Sequence, residues 1–176
     1  MNQKYQNSES ALSSSGRFGR LSYIGWNMLM SLSVVIIIGV AAAFSPELFT
    51  HPYVLTGSSM ATAILIGIAY LVLFYFSFVF TIRRLHDRNH SGWLSILLLI
   101  PGVNLIFVFY LLFAKGDIRT NRYGPQRITK SWEKVLAWLY ILIFPLAILA
   151  AIELPVYQDQ VQDAQHAQIK IQQSAE

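Results

Sequence analysis

The sequence predicts an all-α integral membrane protein with three transmembrane helices and a re-entrant helical hairpin, or alternatively four transmembrane helices. Three observations predict it: four apolar runs, an uneven distribution of lysine and arginine, and a Pro-Gly break inside the third run. Of the 176 residues, 55% are hydrophobic and 12% charged, against about 25% charged in soluble domains. A water-soluble fold of this length has too little interior to bury so much apolar surface.

Composition also narrows the possible partners. The net charge is +4 and the isoelectric point is about 9.4. Because the basic residues flank the apolar runs, we expect anionic lipid headgroups rather than nucleic acid as their partner. The chain has no cysteine, which excludes disulfides and cysteine-based metal sites. The histidines show no ligand spacing, so the sequence predicts no metal site and no cofactor.

The four apolar runs cover residues 23–44, 60–82, 93–114 and 135–152. Each is close to the ~20 residues that an α-helix needs to cross a ~30 Å hydrocarbon core. The first run ends near three consecutive alanines, a pattern that also occurs at signal-peptide cleavage sites. The run is much longer than the apolar region of ~7–15 residues in a signal peptide, so we expect an uncleaved helix.

Lysine and arginine are unevenly distributed between the connecting segments. Three precede the first run, three lie in 83–92 and six in 115–134, whereas 45–59 has none and 153–176 has one. Four crossings would divide them almost equally between the two sides. If the third run enters and leaves on one side, twelve lie on that side and one on the other. The positive-inside rule then places the N-terminus in the cytoplasm and the C-terminal tail on the opposite side.

The third run contains residues that let the chain turn back. Pro101 interrupts helical hydrogen bonding, Gly102 has an unrestricted backbone, and Asn104 follows. Residues 93–100 and 104–113 would then be the two half-helices of the hairpin. A single spanning helix kinked at Pro101 is the alternative.

The chain divides into four parts by composition. Residues 1–15 are polar and predicted to be disordered. Residues 16–126 form the membrane domain, and 127–152 form a basic linker and the last transmembrane helix. Residues 153–176 are a polar, Gln-rich tail.

Three polar motifs lie at the boundaries of the apolar runs. They are Gly-Arg-Phe-Gly-Arg at 16–20, Arg-Arg-Leu-His-Asp at 83–87 with Ser-Gly-Trp at 91–93, and Asn-Arg-Tyr-Gly-Pro at 121–125. In this order, with a central proline before the last, they resemble the bacterial inner-membrane family known as domain of unknown function 805. The resemblance covers about residues 16–126. It implies residence in the bacterial inner membrane and no particular activity. The spacer at 117–120 departs from the small, Gly-containing spacer usual there, so we expect that turn to be built differently.

A second, short resemblance lies near the C-terminus. Residues 149–159 resemble the end of a type IV pilin membrane helix, which in pilins faces away from the cytoplasm. That agrees with the predicted position of the tail. The prepilin cleavage site is missing and Glu153 stands at an apolar position, so coincidence is the alternative explanation.

One candidate functional cluster lies in the second and third motifs. His86 and Asp87 would handle protons or bind a ligand, since histidine titrates near pH 6.5, and Arg84 would hold an anion by two hydrogen bonds. The simpler interpretation is a cytoplasmic anchor, in which arginines hold headgroups and Asp87 pairs with a neighbour such as Arg83. Convergence of the motifs would place Asn121 against the His86–Asp87 turn. The candidates are Arg83, Arg84, His86, Asp87, Asn121 and Arg122.

A second group is predicted to anchor the protein at the membrane surface. Its arginines would contact lipid headgroups, and its aromatic side chains would lie in the interfacial belt. These residues are Arg17, Arg20, Arg88, Tyr23, Trp26 and Trp93.

The sequence contains no motif typical of an enzyme. Gly-x-Ser-x-Gly, His-Glu-x-x-His and Walker-type loops are absent, so no catalytic residue is predicted. The apolar runs contain no Asp, Glu, Lys or Arg, which disfavours an ion-coupled transporter. We expect a non-enzymatic protein that acts through its basic face on lipid headgroups, on a partner membrane protein or on copies of itself. A small oligomeric transporter or channel subunit is the alternative.

Overall fold

The computed structural model of the chain describes residues 13–50 and 57–173. Within these ranges the regular structure is helical, apart from one isolated bridge between Asn121 and Gly124. Of the segment 1–15 predicted to be disordered, residues 1–12 lie outside the described ranges and 13–15 have no regular structure. The elements are α1 (Arg20–Phe44), α2 (Glu47–Thr50), α3 (Gly57–Asp87), a 3-10 helix (Gly92–Leu99), α4 (Val103–Phe113) and α5 (Ser131–Gln173).

Three helices within the described ranges are long and apolar enough to cross a membrane. They are α1, α3 and the part of α5 from Ser131 to Pro155, with mean hydropathies of 2.2, 2.5 and 2.6. In their most apolar stretches only 11%, 11% and 6% of the residues are buried within the protein. Most side chains of these apolar stretches are therefore not buried by the protein itself, which is favourable only in lipid. The chain is an all-α membrane protein, as predicted.

The third apolar run forms two short helical arms instead of a long helix. The 3-10 helix has eight residues and α4 has eleven. At rises of about 2.0 and 1.5 Å per residue, both arms are about 16 Å long, roughly half of a ~30 Å hydrocarbon core. Between them Gly102 has a φ of 80°, a left-handed conformation that favours glycine. The Asn104 N–H donates to the Ile100 carbonyl at 2.9 Å, which closes the turn.

Both ends of this hairpin lie beside the end of α3. Arg88 Nη1 donates to the Lys115 carbonyl at 2.7 Å, and the Asp117 N–H donates to the Asp87 carbonyl at 2.7 Å. The chain therefore leaves α3 and returns to the same place. A spanning helix would carry the far end of the run about 30 Å away. The structure has the predicted hairpin and not the kinked spanning helix.

The main apolar core joins α1, α3 and the hairpin at the end where α1 begins and α3 ends. The ring of Phe18 lies 5.8 Å from that of Phe80, and Trp26 lies 5.2 Å from Phe80. Each of the three parts contributes to the cluster of buried apolar side chains: Phe18, Tyr23, Val79, Phe80, Leu85, Phe107 and Leu111. The polar motifs surround this core.

By its internal contacts the chain divides into two compact units, at Trp138. The first contains α1 to α4 and the first residues of α5. The second, from Leu139, is the rest of α5, which continues through Pro145 and Pro155 to Gln173. The tail predicted from residue 153 is therefore helical up to residue 173. The pilin resemblance at 149–159 stays a prediction.

Candidate functional site

Asp87, the last residue of α3, is the centre of a buried ionic cluster. Its Oδ2 accepts from Arg84 Nη1 at 2.7 Å, and its Oδ1 accepts from Arg17 Nη2 at 3.0 Å and from Arg17 Nε at 3.2 Å. The Asp87 side chain is 2% exposed and both arginine side chains are 0% exposed. Charge-assisted bonds to both carboxylate oxygens offset the cost of removing these charges from water.

The remaining donors of Arg84 bind the end of the hairpin. Nε donates to the Leu111 carbonyl at 2.8 Å, Nη2 donates to the Ala114 carbonyl, and Nη1 also donates to the Phe18 carbonyl at 3.3 Å. The last carbonyls of a helix have no intrahelical partner and carry partial negative charge. Arg84 therefore caps α4 and ties the hairpin to α3.

Arg17 makes the equivalent connection to the loop after the hairpin. Its Nη1 donates to the carbonyls of Arg119 at 2.8 Å and Gly124 at 3.1 Å, and its Nη2 also donates to the Asp117 carbonyl. The motif before α1 is thereby bound to both the motif at the end of α3 and the motif at 121–125.

His86, a residue of the second motif, also contacts the first and the third motifs. Its ring lies parallel to that of Tyr123, with centroids 3.7 Å apart and planes 10° apart, and its Nδ1 is 3.2 Å from the Gly16 carbonyl oxygen. Asn121 Nδ2 donates to the His86 carbonyl at 2.9 Å. The contact expected between Asn121 and the His86–Asp87 turn is present.

The turn after α3 sets the direction of the next side chains. Asn89 has a φ of 59°, a left-handed conformation that asparagine tolerates better than most residues. The His90 N–H donates to the Leu85 carbonyl and the Asn89 N–H to the His86 carbonyl, both at 3.0 Å. This is a Schellman motif, which satisfies the last carbonyls of α3. It directs Arg88 and His90 toward the hairpin.

The structure corrects the expected roles of several arginines. Arg17, Arg83 and Arg84 are 1%, 1% and 0% exposed, so they are not free to hold headgroups in the described structure. Arg83, the neighbour we expected to pair with Asp87, places its Cζ 4.0 Å from the ring centre of Phe18. The ion pairs of Asp87 are instead with Arg84, at i,i+3, and with Arg17. Spacing within one helix did not reveal a partner from another part of the chain.

The predicted aromatic belt is also corrected in part. Tyr23 is 4% exposed and belongs to the apolar core, because its side of α1 packs against α3. Trp26 is half-buried, and its Nε1 donates to Glu133 Oε1 at 3.0 Å. Trp93 and Arg20 are exposed, and Arg88 is half-buried.

A second buried carboxylate, Glu133, was not identified from the sequence. Its side chain is 0% exposed and pairs with Arg127, whose Nη2 lies 2.7 Å from Oε1. Oε2 accepts from Ser22 Oγ at 2.9 Å and from the Lys130 N–H at 3.1 Å. The backbone of Glu133 lies so close to Gly25 that a side chain on Gly25 would overlap it. Glu133 therefore holds the start of α5 against α1.

A local signal for Glu133 exists in the sequence. Glu133 is the third residue of α5, which begins at Ser131, and its carboxylate binds the N–H of Lys130, the residue that precedes the helix. A glutamate at this position is half of a capping box. The signal was missed because the capping residue is lysine and not serine or threonine.

The fold and the site define a multi-pass helical membrane protein whose polar motifs meet at one end of its helices. Residues 11–125, more than half of the chain, match the family described as "Protein of unknown function (DUF805)", and the chain belongs to that family.

The matches to curated proteins cover a shorter part of the chain. The chain is 36% identical over 44 residues to "Inner membrane protein YhaH" of Escherichia coli (strain K12), and equally to that of Escherichia coli O157:H7. The match covers 25% of this chain and 36% of each relative, so the chain spans about a third of the length of these relatives. No solved structure matches. The three long apolar helices and the inner-membrane relatives support a multi-pass protein of the bacterial inner membrane.

Proposed function

We propose that this protein is a non-enzymatic membrane protein that binds anionic lipid headgroups through a basic surface on the cytoplasmic side. The observation that carries the proposal is the excess of basic over acidic residues in 115–134, all of which the structure describes. This segment has six lysines and arginines and two carboxylates. Of the carboxylates there, Asp117 is half-buried and Glu133 is buried. The basic surface consists of five exposed side chains: Lys115, Arg119, Arg122, Lys130 and Lys134.

Exposed isoleucines accompany this charge. Ile118 is 84% exposed and Ile128 is 87% exposed, and each stands within three residues of two or more basic residues. Apolar side chains beside lysine and arginine suit the boundary between headgroups and acyl chains. Each basic residue near an anionic surface contributes about 1 kcal/mol of attraction. The combination favours a lipid surface over a soluble partner.

The buried charges support a non-enzymatic role. Asp87 and Glu133 each accept hydrogen bonds on both carboxylate oxygens, and the donors include arginines. Such carboxylates are occupied by structural bonds and have no oxygen presented to a substrate.

The alternative, a transporter or channel subunit, has less support. A groove of about 450 Å³ lies between α1 and α3. Its lining is apolar except for the hydroxyl groups of Tyr70 and Ser77. The lining residues are Met30, Val34, Tyr70, Leu71, Leu73, Phe74 and Ser77. A pathway for ions would require charged or convergent polar groups.

Lipid binding by the purified full-length protein in detergent tests the proposal. We expect dioleoylphosphatidylglycerol to bind at least tenfold more tightly than dioleoylphosphatidylcholine, as measured by native mass spectrometry. Replacing all five residues of the basic surface by glutamine should remove that preference, and exchanging lysine for arginine at the same positions should keep it. Equal binding of the two lipids by the wild-type protein would refute the proposal.

A further inference from the structure

Side chains from the turn after α3 and from the second hairpin arm meet where the hairpin leaves and returns to α3, and two of them are joined by hydrogen bonds to backbone carbonyls nearby. Arg88 Nε donates to the Tyr110 hydroxyl at 2.7 Å, and His90 Nε2 lies 2.8 Å from the same oxygen. The Cζ of Arg88 is 4.7 Å from the centre of the Tyr110 ring. We call Arg88, His90, Tyr110, Lys115 and Arg122 the hairpin mouth.

The two guanidinium groups of the hairpin mouth are held by neutral acceptors. Arg88 Nη1 donates to the Lys115 carbonyl at 2.7 Å, and Arg122 Nη2 donates to the Asn89 carbonyl at 3.0 Å. Asn89 is fixed in turn by the Schellman motif that ends α3. Arg88 and Arg122 are therefore held in position without losing their charge to a carboxylate, and less side-chain entropy is lost when they bind an anion.

None of the ion pairs between described residues compensates the positive charge of the hairpin mouth. Within the described part of the chain, the ion pairs join Asp87 and Glu133 to Arg17, Arg84 and Arg127, and none involves Arg88 or Arg122. The nearest remaining carboxylate in sequence is Asp117, whose Oδ1 accepts the Arg119 N–H at 3.0 Å. Arg88 is half-buried, and Lys115 and Arg122 are exposed, so an anion has access to all three.

We propose that the hairpin mouth is a one-to-one site for the phosphate group of an anionic phospholipid. Guanidinium groups match the geometry of phosphate oxygens, and either the Tyr110 hydroxyl or the His90 ring, depending on which of them donates in the hydrogen bond they share, can donate one further hydrogen bond. Trp93, 84% exposed and near the start of the first hairpin arm, is the kind of residue that lies at headgroup level. It favours a lipid as the source of the phosphate over free phosphate. The inference rests on the headgroup binding proposed above and assigns it to one place.

Substitutions inside and outside the hairpin mouth test the assignment in the full-length purified protein. We expect wild-type protein to retain one tightly bound phosphatidylglycerol by native mass spectrometry. Arg88→Gln and Arg122→Gln should each weaken that binding at least tenfold. Arg119→Gln removes the same charge from the basic surface outside the hairpin mouth, and should weaken it less than twofold. Because Arg88→Gln also removes bonds to Tyr110 and Lys115, Tyr110→Phe serves as a milder variant, expected to weaken binding about threefold to tenfold at unchanged melting temperature.

The outcomes separate this inference from the proposed function. Equal weakening by Arg88→Gln and Arg119→Gln would overturn the single site while leaving headgroup binding intact. No preference of the wild-type protein for phosphatidylglycerol would overturn both. Isothermal titration with inorganic phosphate is the second arm. Binding of phosphate without retention of phosphatidylglycerol would overturn the lipid as its source.

Discussion

Arg17 and Asp87 are 70 residues apart in the sequence and form a buried ion pair, with Nη2 3.0 Å from Oδ1. Arg17 precedes α1 and Asp87 ends α3, so this pair joins two membrane helices at one end. Arg84 binds the same carboxylate and caps the hairpin. The cluster is therefore the point at which α1, α3 and the hairpin are held together.

Removal of Asp87 should destabilise the protein strongly. Asp87→Ala leaves Arg17 and Arg84 buried without their carboxylate, which typically costs about 3–5 kcal/mol. We expect reduced abundance in the membrane and a melting temperature lowered by more than 5 °C in detergent. Glu47→Ala is the control, since Glu47 takes part in none of the described ion pairs. If Asp87→Ala keeps its abundance and melting temperature, the cluster is not structural, and the chemical interpretation of His86 and Asp87 regains support.

Gly116 should tolerate no side chain. A Cβ at this position would overlap the Asp87 carboxylate, which two arginines hold in place. We expect Gly116→Ala to lower the free energy of unfolding by about 1–3 kcal/mol, the usual cost of overpacking. Gly39→Ala is the matched control, because a Cβ at Gly39 meets nothing within 4 Å. Equal melting temperatures for the two variants would show that the loop at Gly116 is not held against Asp87.

Glu133 should matter for the attachment of the start of α5. Glu133→Ala removes the acceptor for Arg127, Ser22 and Trp26, and we expect a loss of about 2–4 kcal/mol. Glu133→Gln keeps one side-chain oxygen as an acceptor and should therefore lose less stability than Glu133→Ala. Glu153→Ala, at an exposed position of the same helix, should have little effect. Thermal unfolding followed by tryptophan fluorescence would rank the three variants by stability. A loss for Glu153→Ala as large as that for Glu133→Ala would contradict the role of Glu133 in holding α5.

The sequence predicted the helices and the hairpin because these depend on local composition. It predicted the meeting of the motifs because a hairpin brings both of its flanks to the same side of the membrane. Apolar runs of sufficient length define membrane helices, and Pro101 with Gly102 marks a backbone break at the correct residues. The burial of Arg17 and Arg84 could not be predicted in the same way. Arginines at the end of an apolar run suit a membrane anchor equally well, and only the folded chain supplies a carboxylate 70 residues away and the free carbonyls of α4.

We expect three segments to cross the membrane and the hairpin to enter and leave on one side. This places Phe49 and the C-terminus on one side of the membrane and Ile118 on the other, whereas four crossings would place Phe49 with Ile118 and the C-terminus opposite. The chain has no native cysteine, and Phe49 and Ile118 are 53% and 84% exposed, so single cysteines are suitable probes.

The most direct measurement labels three variants with a membrane-impermeant maleimide in intact spheroplasts: Phe49→Cys, Ile118→Cys and a cysteine appended after Glu176. We expect labelling of the first and the third, with Ile118→Cys labelled only after lysis. Labelling of Phe49→Cys and Ile118→Cys, with the appended cysteine protected until lysis, would contradict the hairpin.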